Sequence, residues 1–247
     1  MFELAELRSF WVYLSASPLL GLTLTLCAYA VAQAIYARCK FSPLANPVAI
    51  AIALVCVALW LSGMSYERYF AGAQFVHFLL GPATVALAVP LVRQLPRMRR
   101  AFMPVMVALA CGSVTAIASA VCIVVALGGT AQLARSIGPK SATTPIAMAV
   151  SERLGGLPSL TAVLVIGTGI FGAVTARFLF GWMKIHSHEV RGFALGVASH
   201  GIGTARAFQV SAEMGAFAGL GMGLNGVLTA LLAPGLIPLV LGWLGKI

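Results

Sequence analysis

Long apolar runs, separated by short basic or small-residue stretches, leave this chain almost no choice of solvent. They fall at 19–36, 47–63, 70–92, 103–127, 157–180 and 220–244. Each is close to the length a membrane-spanning helix needs, about 20 residues. Only 9% of the 247 residues are charged and 60% are apolar, whereas a soluble domain carries about 25% charged residues. So few charges cannot cover a water-facing surface. The expected fold is an all-α, polytopic membrane protein, with one domain over residues 1–247.

Charge placement orients the spans. Sixteen Lys and Arg residues oppose six Glu, with no Asp, for a net charge of +10. The basic residues sit between apolar runs rather than on one polar face, which argues against a nucleic-acid partner and for membrane topology. Arg38 and Lys40 follow the first run, Arg93, Arg97, Arg99 and Arg100 the third, and Lys184 and Arg191 the fifth. Putting these clusters in the cytoplasm requires an outside N-terminus. Glu3, Glu6 and the absence of a basic start imply that the first span is retained rather than cleaved.

The same bookkeeping constrains the later chain. The fourth span ends outside near Gly128, and the fifth must start outside to deliver Lys184. Residues 130–156 therefore begin and end on one side, as a re-entrant hairpin with its tip near 138–143. Gly81-Pro82 interrupts the third run, and such a break must face protein or a wet cavity.

A weak internal repeat, 138–160 against 198–220, agrees with this picture. At an offset of sixty residues Thr144 meets Thr204, Ala147 meets Ala207, Val150 meets Val210, Ser151 meets Ser211 and Gly155 meets Gly215. If both copies are hairpins, they enter from opposite faces, as in the inverted repeats of secondary transporters, and meet at mid-membrane. If the second copy is a broken spanning helix, the meeting survives but the C-terminus moves to the cytoplasm.

Each copy places small and hydroxyl residues ahead of a helical pattern. Ser141, Thr143 and Thr144 precede Pro145; Ser199, His200, Gly201 and Gly203 lead to Thr204. The first turn of a helix carries unpaired N–H groups and partial positive charge, so two such ends would cradle an anion. Lys140 and Arg206 lie beside the breaks. An ionised residue at mid-bilayer costs about 2.5–3.5 kcal/mol on insertion scales and needs a partner. A substrate carboxylate suits both, gripped bidentately by Arg and as a point charge by Lys. The competing reading is that the cations snorkel or pair with carbonyls and with Glu152 and Glu213. The candidate binding set is Lys140, Ser141, Thr143, Thr144, Ser199, His200, Thr204 and Arg206, with Glu213 and His200 as candidate proton carriers.

Other signals carry less. Gly167-Thr-Gly169-Ile-Phe-Gly172 and Gly221-Met-Gly223-Leu-Asn-Gly226 match a dinucleotide fingerprint but follow no strand, and read as helix packing. Gly215, Gly219 and Gly223 have the spacing of close helix approach. His186, His188 and Glu189 form a lone tract at a basic loop, not a metal site. Five cysteines lie in or beside apolar runs without a CxxC pair. Neither a nucleophile–base arrangement nor a phosphate loop is present, so the chain reads as a non-enzyme without a cofactor. The Gly-rich last span serves either a homo-oligomer contact or internal packing.

The stretches SIGPKSATTPIAMAVSERLGG, HSHEVRGFALGVASHGIGTARA and LLGPATVALAVPLVRQL resemble the signature segments of the LrgB/CidB family, over nearly the whole chain. The resemblance implies a multi-pass protein of the bacterial inner membrane acting with a small LrgA/CidA-like membrane subunit. Bacterial members are named for antiholin-like or holin-like control of murein hydrolase export and cell lysis. Plant relatives carry glycolate and glycerate, and some bacterial pairs are linked to pyruvate uptake. Two functions are therefore expected to compete. One is secondary transport of a small monocarboxylate by alternating access; the other is antiholin-like modulation of a holin-like partner.

Overall fold

The structure is a computed structural model that describes residues 19–79 and 99–246, with scattered positions between them. Glu3, Glu6, Arg93, Arg97 and the Gly81 of the expected Gly81-Pro82 interruption lie outside the described residues. Among the described residues every regular element is a helix. The chain divides into two compact units, residues 1–86 and 87–247.

The first unit contains α1 (Leu19–Arg38), α2 (Pro47–Ser62) and α3 (Tyr66–Phe78). Asn46 starts α2 by accepting from the Val48 and Ala49 N–H groups, with Pro47 in the first turn, where its missing N–H costs nothing. Gly63, at φ 64°, ends α2 in the left-handed conformation that glycine adopts freely. α1 and α3 touch where the Thr25 hydroxyl lies 2.8 Å from the Tyr69 hydroxyl.

The second unit contains α4 (Phe102–Ala126), α5 (Ala131–Ile137), α6 (Thr144–Arg153), α7 (Pro158–Trp182), α8 (His188–Val210) and α9 (Ala212–Trp243). α1, α4, α7 and α9 are long and apolar enough to cross a bilayer. Packing order gives their directions. Leu109 clusters with Phe217, and Ile117 and Val121 cluster with Ala233 and Ile237, so α4 and α9 run parallel. Phe180, late in α7, clusters with Met214, early in α9, so α7 runs the other way.

The last span starts at Ala212, eight residues before the apolar run that announces it at Leu220. Its first two turns are Gly- and Ala-rich and read as weakly apolar, yet small residues are what the packing there demands. Ser211 caps the helix by accepting from Met214 N–H. Pro234 and Pro238 lie inside α9 and remove two N–H donors from its ladder.

α8 is not one rod. Ser199 (φ −128°, ψ 16°) and His200 (φ 42°, ψ −133°) break it, and its two ends lie together. The Ser211 hydroxyl is 3.3 Å from His188 Nδ1, and the Glu213 carboxylate is 3.8 Å from the same nitrogen. An unbroken helix of this length would hold its ends about 30 Å apart. α8 is therefore a re-entrant hairpin, and the alternative of a broken spanning helix is set aside. Its first arm lies against the start of α9 with backbones nearly touching. A methyl group at Gly192, Gly196 or Gly221 would meet the carbonyls of Met214, Ala218 and Phe193 respectively.

α5 and α6 form a second hairpin, opening at the opposite end of the bundle. Leu157 N–H donates to the Ser136 hydroxyl at 2.8 Å, so the arms meet beside the start of α7. Ala134 and Val150 join Ala233, Ile237 and Leu241 in one apolar cluster, which seats this hairpin against the far half of α9.

The expected glycine seam is thus partly relocated. Gly215 packs on the Phe208 ring, but Gly219 and Gly223 meet nothing within 4 Å. Of the two fingerprint-like strings, Gly169, Gly172, Gly221 and Gly226 are close-packed, whereas Gly167 and Gly223 are not. Gly196→Leu should therefore destabilise the fold by about 1–3 kcal/mol through overpacking, seen as a lower melting temperature in detergent. Gly219→Ala should leave that temperature unchanged. In a background with the native cysteines replaced, His188→Cys and Ser211→Cys should be joined by a short bifunctional thiol reagent; failure to cross-link would rule out the hairpin.

Candidate functional site where two hairpins meet

The two hairpins reach the same level of the bundle from opposite ends. Ala142, at the turn between α5 and α6, clusters with Val165 of α7. His200, at the break of α8, places its Nε2 2.8 Å from the Val165 carbonyl. A carbonyl can only accept, so Nε2 carries the proton and donates. Gly169 makes room for the imidazole, and Gly172 for Ser199. The unfavourable positive φ of His200 is thus held by a hydrogen bond and by close packing on α7.

The centre of the arrangement is Asn225, a fully buried side chain of α9. Its Nδ2 donates to the Ser141 carbonyl and the Val197 carbonyl, each at 3.0 Å. Its Oδ1 accepts from the Ser113 hydroxyl of α4 at 2.6 Å, and the Thr229 hydroxyl lies 3.5 Å away. Val197 lies two residues before the interruption at Ser199 and His200, and Ser141 stands in the turn before α6. In hydrocarbon neither carbonyl could turn to water. One amide answers both breaks.

A second polar node ties the α5–α6 hairpin to α7. Thr161 Oγ1 lies 2.7 Å from Ser151 Oγ and 3.0 Å from the Ser136 carbonyl, and all three residues are fully buried. Ser151 therefore joins helices. Ser211 caps one by accepting from Met214 N–H.

The predicted residues separate into groups. Lys140, Ser141, Thr143 and Thr144 all lie at the tip of the α5–α6 hairpin. Lys140 is partly buried, and its ammonium has no side-chain or carbonyl partner among the described residues. Ser141 is buried and contributes its carbonyl to Asn225. Thr143 stands at the N-cap of α6 without a side-chain capping bond, and Thr144 is the first residue of that helix. Ser199 and His200 form the other tip, and Thr204 donates to the His200 carbonyl at 2.8 Å, repairing its own break. Arg206 is further along the returning arm, where Nη1 donates to Gln209 Oε1 at 3.1 Å. Glu213 lies at the open end of the α8 hairpin beside His188, away from the break.

Sequence reading missed Asn225, Ser113 and Thr161. The signal for Asn225 was available, as the chain has one other asparagine, at position 46, and an amide alone in an apolar span is there for a reason. The fingerprint-like glycines around it drew attention instead. No group of His, Cys or Glu suited to holding a metal ion occurs among the described residues.

Comparison with known proteins places this architecture. The model of the LrgB-like family matches residues 25–239. The chain is 35% identical to the uncharacterized protein YwbG of Bacillus subtilis, over 89% of this chain and 97% of that protein. It is 34% identical to YxaC of the same organism, over 85% of this chain and 91% of that one. The antiholin-like protein LrgB of Bacillus mycoides is 27% identical over 91% of this chain and 97% of its own length. No solved structure matches the chain. With the family model spanning most of its length and four helices fit to cross a bilayer, the chain is a multi-pass membrane protein of the LrgB-like family.

Proposed function

We propose that this protein moves a small monocarboxylate through the bacterial inner membrane by exposing the joined hairpin tips alternately to either side. The observation that carries the reading is the meeting of two opposed hairpins at Asn225, with Lys140 beside one of them. A cation at such a depth is costly and calls for a negative partner. The N-terminal turn of α6, behind Thr143 and Thr144, adds N–H groups and partial positive charge next to the Lys140 ammonium. A carboxylate would satisfy both. His200 then shapes the opposite wall, with Nε2 committed to Val165 and Nδ1 left as its second polar atom. Arg206, on the returning arm of α8, would offer a second cation, and Glu213, in the first turn of α9 at the open end, a proton carrier. The sixty-residue correspondence, which pairs Lys140 with His200 at the two tips, fits an inverted duplication of the kind secondary carriers use.

The names of the relatives favour a second reading, an antiholin-like modulator acting on a holin-like membrane partner. A pore regulator needs associating spans but not two hairpin tips pinned at mid-bundle. In either reading a small LrgA/CidA-like subunit is the natural companion.

Proteoliposomes containing this chain and its small subunit separate the two. Uptake of labelled glycolate, lactate or pyruvate is expected from the wild type. Lys140→Ala should lower it by about a hundredfold, the scale of a lost charge-assisted contact, while Lys140→Arg retains part of it. Full uptake by Lys140→Ala would reject the site, and a wild type that carries no carboxylate yet alters lysis would establish the modulatory role. Asn225→Leu should cost about 1–3 kcal/mol for each stranded carbonyl, read as a loss of detergent thermostability alongside lost uptake.

A further inference from the structure

A groove on the outside of the second unit lies apart from Lys140 and the α5–α6 tip. It is a cavity of about 400 Å³ between α4 and the first arm of α8. Ala101, Val105, Ala108 and Gly112 form one wall, and Phe193, Ala194 and Ala198 the other. Its lining is apolar apart from Glu189 at the mouth. From Ala101 to Ala116 it follows α4 for fifteen residues, about 22 Å at the helical rise, which is the reach of a long acyl chain. Arg99 and Arg100, both exposed, directly precede Ala101. The mouth therefore presents both signs of charge above an apolar slot.

We infer that this groove holds one acyl chain of a zwitterionic aminophospholipid, its phosphate against Arg99 and Arg100 and its ammonium against Glu189. The charge order decides the headgroup. A purely anionic lipid would gain the arginines but meet Glu189, and a choline headgroup would offer that carboxylate no N–H donor. The end of the bundle also fits. Arg99, Arg100, Lys184 and Arg191 gather where the α8 hairpin opens, against Arg135, Arg153 and Lys246 at the other end, so the bias in basic residues puts the mouth at the cytoplasmic leaflet. Gly112 and Val197 line the deep end, and Val197 offers its carbonyl to Asn225, so the bound chain would abut the hairpin that completes the central bracket.

The test uses the full-length protein in nanodiscs of phosphatidylethanolamine and phosphatidylglycerol. Phosphatidylethanolamine with a photoreactive group late in its acyl chain should label peptides containing Gly112–Ala116 or Val197–Ala198, and labels confined elsewhere would overturn the assignment. Native mass spectrometry of detergent-purified protein should show one retained phosphatidylethanolamine. Ala194→Phe, which fills the slot, should lower that occupancy by about tenfold through lost apolar burial. Glu189→Gln should erase the preference for phosphatidylethanolamine over phosphatidylglycerol. Equal retention of the two lipids by the wild type, or unchanged occupancy in Ala194→Phe, would overturn the proposal. None of these readouts depends on transport.

Discussion

A helix that stops inside a bilayer leaves carbonyls that neither water nor lipid can satisfy, and the second unit is organised around that debt. Ser141 and Val197 carry such carbonyls, one from each hairpin, and a single amide on α9 answers both. Ser113 fixes the orientation of that amide from α4. The donor and acceptor ends of Asn225 are therefore not interchangeable, and two spans and two hairpins acquire a common register. The remaining small-residue contacts serve this register. Gly169 and Gly172 let the α8 tip reach α7, and Gly192 and Gly196 bring its first arm onto α9.

The division of labour between glycine and hydroxyl is instructive. The first arm of the α8 hairpin is seated on α9 by backbone apposition, which tolerates no side chain at Gly192 or Gly196. The α5–α6 hairpin is tied to α7 by the hydroxyls of Ser136, Ser151 and Thr161 and is seated on α9 through Ala134 and Val150. Lys140 lies on this second hairpin. The cation proposed to meet the substrate thus belongs to the element tied in by hydroxyl groups.

Much of this was legible before any coordinates. The positions of α1, α4, α7 and α9 follow from hydropathy, and the first hairpin follows from the need to bring Lys184 to the basic side. The start of α9 was misplaced because Gly and Ala score weakly on any hydropathy scale while being what a tight seam requires. A break at Ser199 and His200 fits either a hairpin or a broken spanning helix, and only the contact of His188 with Ser211 decides it. Local pattern registers where a chain stops being helical, and not where it goes next. Asn225 escaped notice because its partners lie 28, 84 and 112 residues away.

The prolines of α9 take on meaning from this layout. Residues 212–225 carry the α8 hairpin and the Asn225 amide, and residues 233–241 carry the α5–α6 hairpin. Pro234 and Pro238 weaken the backbone ladder within the second stretch, and missing ladder bonds are where helices flex. One continuous helix thereby keeps its full ladder under the α8 hairpin and loses part of it under the other, so a small bend near Ala233 would swing one tip while its counterpart stays still.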